Sequence, residues 1–424
     1  MSLTQDLVHL IRTKPITQVD LDAAALFTLD AVANAIGGCS TAPGKKLLAW
    51  ARENGGDAGR RALVMGGLTH VLEMDDLHRA SVVHPGCVVV PAAFAVSDGD
   101  GKKLLRAVLH GFEATCRVGM AVGQQHYKIW HSTATCGPFG SAMAGAALLN
   151  LSDDQAVHAL GNAGTQSAGL WQFLATGAMS KHLHAGRGAE AGVVAAQLAA
   201  QDFTGPPEIL EGAQGLFAGA CPDPDPNAVV RDPDHRWQLH ETSIKPWPSC
   251  RHTHTLIDAA LELSAQIENS DDIQEVHVQV YAAVLDVCDR PDPESVYEAK
   301  FSLQHTAAAA LSDGRVDFDS FEADARVRLA PLRAKVRAQA GEPYVSAYPK
   351  DWGSALEVVL QDGTKLSTQR THCKGDPEAA LSVDEMRTKA LMLMELGGCN
   401  HPNRLIDAIL NMAHKGRVPD LDLF

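Results

Sequence analysis

No two of the nine cysteines stand in a CxxC spacing, and their number is odd. A disulfide framework and an iron–sulfur cluster therefore both lack their sequence marks. Scattered thiols of this kind fit a reducing compartment, so a cytoplasmic setting is expected. Aromatic residues are scarce, at 5% of the chain, while Ala and Gly are abundant. Small side chains suit helices packed at close range. Basic residues are outnumbered, 36 Lys and Arg against 51 Asp and Glu, for a formal charge of -15. That excess of acid argues against nucleic acid as the main partner and against an anionic membrane surface. It leaves room for an anionic substrate, because a few local cations decide a pocket. Every long apolar run is broken by Gly, Pro or a charge, so no membrane span is expected. The segment after Met1 is polar and amphipathic, without a basic stretch leading into an apolar one, so no signal peptide is expected. No GxGxxG or P-loop pattern occurs, and no internal repeat is evident.

A chain of 424 residues with 46% hydrophobic content exceeds one compact core, so two domains are expected. The first half reads as helices throughout. Thr17 caps a helix after Pro15, and Ser152-Asp-Asp-Gln155 is a capping box. Lys102–Val122 places Leu105, Val108, Leu109, Phe112 and Cys116 on one side. Its Glu113 and Arg117 read as a solvated i, i+4 pair. Helical spacing also runs through Gly177–Gly192 to about Gln201. PDPDPN near Asp223 is a turn-rich break. Beyond it, Ile273–Val280 alternates as a half-buried strand, and Ser354–Leu360 and Thr364–Thr371 flank Asp362-Gly363 as a hairpin. Ala323–Ala340 carries helical spacing, and helices return over Ser382–Ala413. The expected class is α+β, mainly α. Residues 1–240 with 380–424 form a helical domain, and 241–379 form a smaller α+β domain.

The chain is organised around Gly66–Val96, GGLTHVLEMDDLHRASVVHPGCVVVPAAFAV. It opens as a helix on Met65, Leu68 and Leu72. Thr69, Glu73 and Asp76 fall at i, i+4 and i+7 and so share a neighbouring face, with His70 and His78 in the helix register. Asp75 stands beside Asp76, and His84 precedes Pro85, where a helix should have ended. Acids and imidazoles between two buried segments must be paired or shifted in pKa. Taken alone, the stretch also fits a capped helix end with solvated acids and a core histidine.

Three further segments carry polar chemistry. His131 precedes a small-residue helix in HSTATCGPFGSA, where Thr135 and Pro138 suit the opening turn and free amides favour an anion. An imidazole there can move a proton at neutral pH. By itself it also fits a solvated loop histidine. Lys181 lies in SKHLHAGRGAEAG, equally readable as a surface lysine. His182 and His184 form an HxH pair, but no third ligand follows at metal spacing, so no metal is expected. KPWPSCRHTH, residues 245–254, sets Lys245, Cys250, Arg251 and His252 in a rigid segment. Arg251 suits a bidentate carboxylate contact, or a linker's surface.

Four of these segments, HxLExDDLH with HPG, HSTATCGPFGSA, KxLHAGR and KPWPSCRHTH, occur in order and resemble the MmgE/PrpD family. The resemblance runs from Leu7 to about Ala413. That family includes 2-methylcitrate dehydratase, cis-aconitate decarboxylase and iminodisuccinate epimerase. The resemblance implies an all-helical domain with an α+β lid, a homodimer, and removal of a proton next to a carboxylate without metal or organic cofactor. Its active-site histidine and lysine fall on His131 and Lys181. His131 and His84 are the candidate base and acid, with Asp75 or Asp76 orienting His84 or a substrate hydroxyl. Arg251, with His252 and Glu73, would contact substrate. Glu73 stands where many relatives have Asp, and Leu77 where a hydroxyl residue is usual. Cys250 lies near a catalytic histidine of some members. Gln304-His305 replaces Pro-Tyr, so His305 would stand in for a tyrosine lining the site. The leading expectation is a hydro-lyase of the methylcitrate dehydratase type on a small hydroxy-polycarboxylate. An epimerase, a decarboxylase and a non-catalytic carboxylate-binding relative are the alternatives.

Overall fold

A computed structural model describes residues 2–421 and 423. The chain forms two compact units, Met1–Ile244 with Ser382–Phe424, and Lys245–Leu381. The fold is mainly α, with its larger sheet in the second unit. No helix among the described residues is long and apolar enough to cross a membrane, and the nine cysteines are free thiols.

The first unit is built from helices at close range. Gln18–Gly38, Ala58–His70, Gly86–Ala95, Gly101–Ala121, Ser132–Leu148 and Ser180–Ala199 supply its core. Thr17 caps Gln18–Gly38 and Ser152 caps Asp153–Gly164, each in a full capping box. The Ala58–His70 and Ser180–Ala199 helices meet backbone to backbone, since a Cβ on Gly186 would lie 2.3 Å from the Leu63 carbonyl oxygen. That crossing brings the end of one helix, His70, toward the start of the other, Lys181.

Several local expectations change. The helix that opens the organising stretch stops at His70 instead of running on to His78. Glu73 takes a left-handed φ of 60°, and Leu77–His78 becomes strand β1, antiparallel to β2, Thr242–Ser243. This short ladder is strand where only helices were expected. His84 does not follow a helix end; Pro85 caps the Gly86–Ala95 helix. The helix after His131 opens at Ser132, so Pro138 lies inside it. Glu113 and Arg117 are fully buried, not solvated. Arg117 Nε donates to Glu113 at 2.7 Å, and its guanidinium also reaches the carbonyls of Val229 and Arg231. Lys14 and the Gln238 amide satisfy the rest of the Glu113 carboxylate.

The second unit carries a four-stranded sheet in the order β4-β3-β5-β6. β3 is Ile273–Val280, β4 Val336–Ala340, β5 Ser354–Leu360 and β6 Lys365–Arg370. β5 and β6 form the hairpin expected at Asp362-Gly363, and β3 pairs antiparallel with β5. β4 lies in a segment expected to be helical. Only Ala323–Arg328 and Ala330–Arg333 are helical there, and Val336–Ala340 pairs parallel to β3. Helices His254–Ser264 and Leu303–Asp313 pack on the sheet.

Two buried histidines of the first unit give the fold a pH limit. Burial pushes His78 and His110 down to about 4. The unfolded chain titrates near the ordinary value, so between that value and about 4 it binds more protons than the folded chain. Their stabilisation is complete above the unfolded pKa and is lost as pH falls toward the folded one, at about 1.4 kcal/mol per pH unit for each group. The urea midpoint should therefore be lower at pH 5 than at pH 7.5. An equal or higher midpoint at pH 5 contradicts this.

Candidate active site

The turn after Ala58–His70 folds the polar residues back over the end of that helix. His70 Nδ1 and Asp75 Oδ2 lie 2.7 Å apart. The same carboxylate oxygen lies 3.3 Å from His84 Nδ1. Asp75 thus bridges two imidazoles from opposite ends of the turn. Burial works to raise its pKa, but the charges and hydrogen bonds of His70 and His84 outweigh it and hold the carboxyl well below the usual range. Asp76 points elsewhere: the Gly86 amide donates to both of its oxygens, at 3.0 and 3.1 Å. Burial, with the negative charges of Asp75 and Asp30, pushes Asp76 well above the usual range. One acid is therefore held as an anion between histidines, and the other clasps a helix start with its proton affinity raised. Sequence left the two interchangeable.

The turn is held from several sides. The His84 amide donates to Thr133 Oγ1 at 3.1 Å, which ties it to the Ser132–Leu148 helix. Lys389, from the Val383–Leu396 helix near the C-terminus, donates to Asp30 and to the Met74 carbonyl, the latter at 2.7 Å. Glu73 forms an ion pair with Lys181 at the start of Ser180–Ala199. Glu73 and Val82, both with φ above +50°, bracket the segment. Left-handed non-glycine residues are costly and concentrate at functional sites.

His131 completes the cluster. Its ring stacks on His70 at 5.6 Å, and His70 meets His84 edge-on at 4.7 Å, so His70 lies between the two expected catalytic histidines. Trp171 packs on His131 at 4.7 Å. Burial, reinforced by His70, Lys181, His184 and His84, pushes His131 well below the ordinary histidine value. It is a neutral imidazole at pH 7, able to accept a proton.

The structure therefore gathers Glu73, Asp75, Asp76, His84, His131 and Lys181 in the first unit. His70 was seen in the sequence only as a helix-register residue, although its five-residue spacing to Asp75 is what allows their bond. Its Nε2 and the Asp75 Oδ1 atom are buried without a hydrogen-bond partner among the described residues. One donor atom from each of His70, Asp75 and His84 lies within 4.8 Å of the others, the spacing of a metal's ligands.

Arg251, His252, Cys250 and His305 belong to the second unit. One Arg251 nitrogen, Nη2, donates to both oxygens of Asp376 at 2.6 Å, while Nη1 is buried without a hydrogen-bond partner among the described residues. His252 stacks on Trp352 at 4.5 Å, with Nδ1 2.6 Å from the Tyr281 hydroxyl. Cys250 is half-buried and its amide donates to the Lys300 carbonyl. His305 is fully buried; its Nε2 donates to the Ser320 carbonyl at 2.8 Å.

Sequence comparison places these residues among known proteins. A model of the MmgE/PrpD N-terminal domain matches residues 4–228, and one of the MmgE/PrpD C-terminal domain matches 247–413. A cis-aconitate decarboxylase of Mus musculus is 26% identical over 349 residues, covering 77% of this chain and 70% of that protein. One from Homo sapiens is 25% identical over 354 residues, covering 77% and 71%. One from Aspergillus terreus is 26% identical over 336 residues, covering 72% and 68%.

Proposed function

This chain belongs to the MmgE/PrpD family, and from that premise we propose that it is a cofactor-independent lyase acting on a small polycarboxylate, with elimination of water as its reaction. The observation that carries the reading is the contrast between two histidines on either side of His70. His131 is desolvated and neutral. His84 faces the Asp75 carboxylate, a counter-ion for its protonated form. Titratable groups in opposed environments mark a base and an acid.

In this reading His131 takes the proton next to a substrate carboxylate. The electron pair left on carbon spreads into that carboxylate, and the Lys181 ammonium, balanced by Glu73, stabilises the developing charge. His84 protonates the departing hydroxyl. Asp75 orients His84, and Asp76 fixes the helix start behind it. Arg251, His252, Cys250 and His305 are proposed substrate contacts on the family motif, with Arg251 Nη1 as carboxylate donor. A homodimer is proposed on the same ground.

Decarboxylation is the second reading, favoured by the names of the similar proteins. Epimerisation remains a third, requiring proton donors on both faces of one carbon. The products separate them. After exhaustive chelation, the enzyme is incubated with a panel of hydroxy-, imino- and unsaturated di- and tricarboxylates and the mixtures are read by proton NMR. The proposal expects an alkene and water from a hydroxy acid, at the unchelated rate. Loss of carbon dioxide, or inversion without alkene, overturns the elimination. A tightly bound stoichiometric metal whose removal abolishes turnover overturns the cofactor-independent chemistry.

A further inference from the structure

We propose that His184 is the proton relay of this site: it fixes which nitrogen of His131 carries hydrogen and conducts the abstracted proton to a groove that His184 itself lines. This rests on the reading of His131 as the base. The Nδ1 atoms of His131 and His184 face each other at 3.3 Å. Two nitrogens at that distance share one hydrogen. If it resides on His131, then Nε2 of His131 is bare and is the basic atom. His184 thereby decides whether His131 serves as base or acid.

The surroundings hold this pairing. The His131 amide donates to the Gly169 carbonyl at 2.9 Å. Gly169 has a φ of +124°, and a Cβ there would lie 3.2 Å from His184 Nδ1 and 2.5 Å from the Ala134 Cβ. Only glycine leaves room for the His184 ring while holding the His131 backbone. Phe173 meets His184 edge-on at 5.5 Å and fixes its plane. His184 also lines a groove of about 690 Å³, together with Trp130, Gln166, Phe173, Leu183 and Arg187, a lining that does not include His131. His131 itself is 1% exposed. A proton on it has no direct path to solvent while substrate fills the site, whereas His184 reaches the groove. Burial, then the charges of His70 and Lys181, push His184 down to about 4, so it takes up a proton only in transit.

The shift balances. The C–H electron pair stays on the substrate and its proton goes to Nε2 of His131. The proton on Nδ1 of His131 passes to Nδ1 of His184, and the one on Nε2 of His184 leaves to water in the groove. After product departs, water in the groove returns a proton to Nε2 of His184, the proton on Nδ1 of His184 passes back to Nδ1 of His131, and Nε2 of His131 gives its proton to water refilling the site, so one proton leaves per turnover.

The test uses His184→Asn, whose amide oxygen can accept the His131 hydrogen but cannot pass it on, with His184→Gln as a second variant. Turnover should fall by about 10- to 100-fold, below the loss of a group that itself meets substrate, with KM little changed. Added imidazole should restore it saturably. Exchange of the α-proton with solvent deuterium should fall relative to product formation. Wild-type turnover and exchange in both variants overturn the relay. So does a loss that imidazole does not restore, which leaves His184 only a packing role. If His131→Gln retains α-exchange, the reading of His131 as base fails first. If His131→Gln abolishes exchange while the His184 variants behave as wild type, the relay alone fails.

Discussion

Replacing His131 by glutamine is expected to lower turnover and α-proton exchange together by about 10²–10⁴-fold, the range for removing a general base. The ring is buried, stacked on His70 and packed at a tilt against Trp171, and glutamine fills much of that space, so the fold should persist. In the proposed elimination His131 removes the first proton, and the later steps wait for it. His84 sits at a different step. It lies 3.3 Å from the Asp75 carboxylate, and its proposed task is to protonate the departing hydroxyl. His84→Asn should therefore depress product formation while exchange of the α-proton continues. Both quantities come from one proton NMR time course in D2O. A His131 variant that exchanges at the wild-type rate contradicts its role as the base.

The second large effect lies behind the site. Lys389→Met is expected to destabilise the first unit by about 3–5 kcal/mol, the usual result of removing one partner of a buried ion pair. Lys389 and Asp30 are both buried. The ammonium also donates to the Met74 carbonyl, at 2.7 Å, one residue before Asp75. The substitution takes the ammonium away from the buried Asp30 carboxylate and the donor away from the Met74 carbonyl beside Asp75. Asp30→Asn combined with Lys389→Met should recover part of the stability, because the carboxylate charge is then removed together with the ammonium that faced it. Denaturant titration of the single and double variants measures the coupling. A single variant as stable as the parent would show that the pair contributes nothing.

Much of the helical framework was legible because capping chemistry and apolar spacing agree, as at Thr17 and Ser152. β3, β5 and β6 were legible because alternation and Asp362-Gly363 act over a few residues. β4 was not. Val336–Ala340 is rich in helix formers, and pairing with β3 overrides that preference. The site residues named in the sequence came largely from motif resemblance, and the reason for their gathering lies in geometry that no local pattern shows. The helix was expected to pass through Glu73 and Asp76, but it ends at His70 because Glu73 turns left-handed and Asp75 folds back onto the last helical side chain. Glu113 and Arg117 looked like a surface pair, since spacing alone does not reveal the Val229 and Arg231 carbonyls that satisfy the arginine inside. Lys389 stands more than 300 residues from Asp75 in sequence, and only the return of the C-terminal helices brings it to the turn.

The central claim is that side chains alone remove a proton next to a carboxylate, with His131 as the acceptor. Its most direct test is deuterium incorporation from D2O at the α-carbon of a hydroxy-polycarboxylate turned over by the chelated wild-type enzyme, followed before product accumulates. Wild type should catalyse this incorporation and His131→Gln should not. Product formed from that substrate with its α-hydrogen fully retained would contradict it.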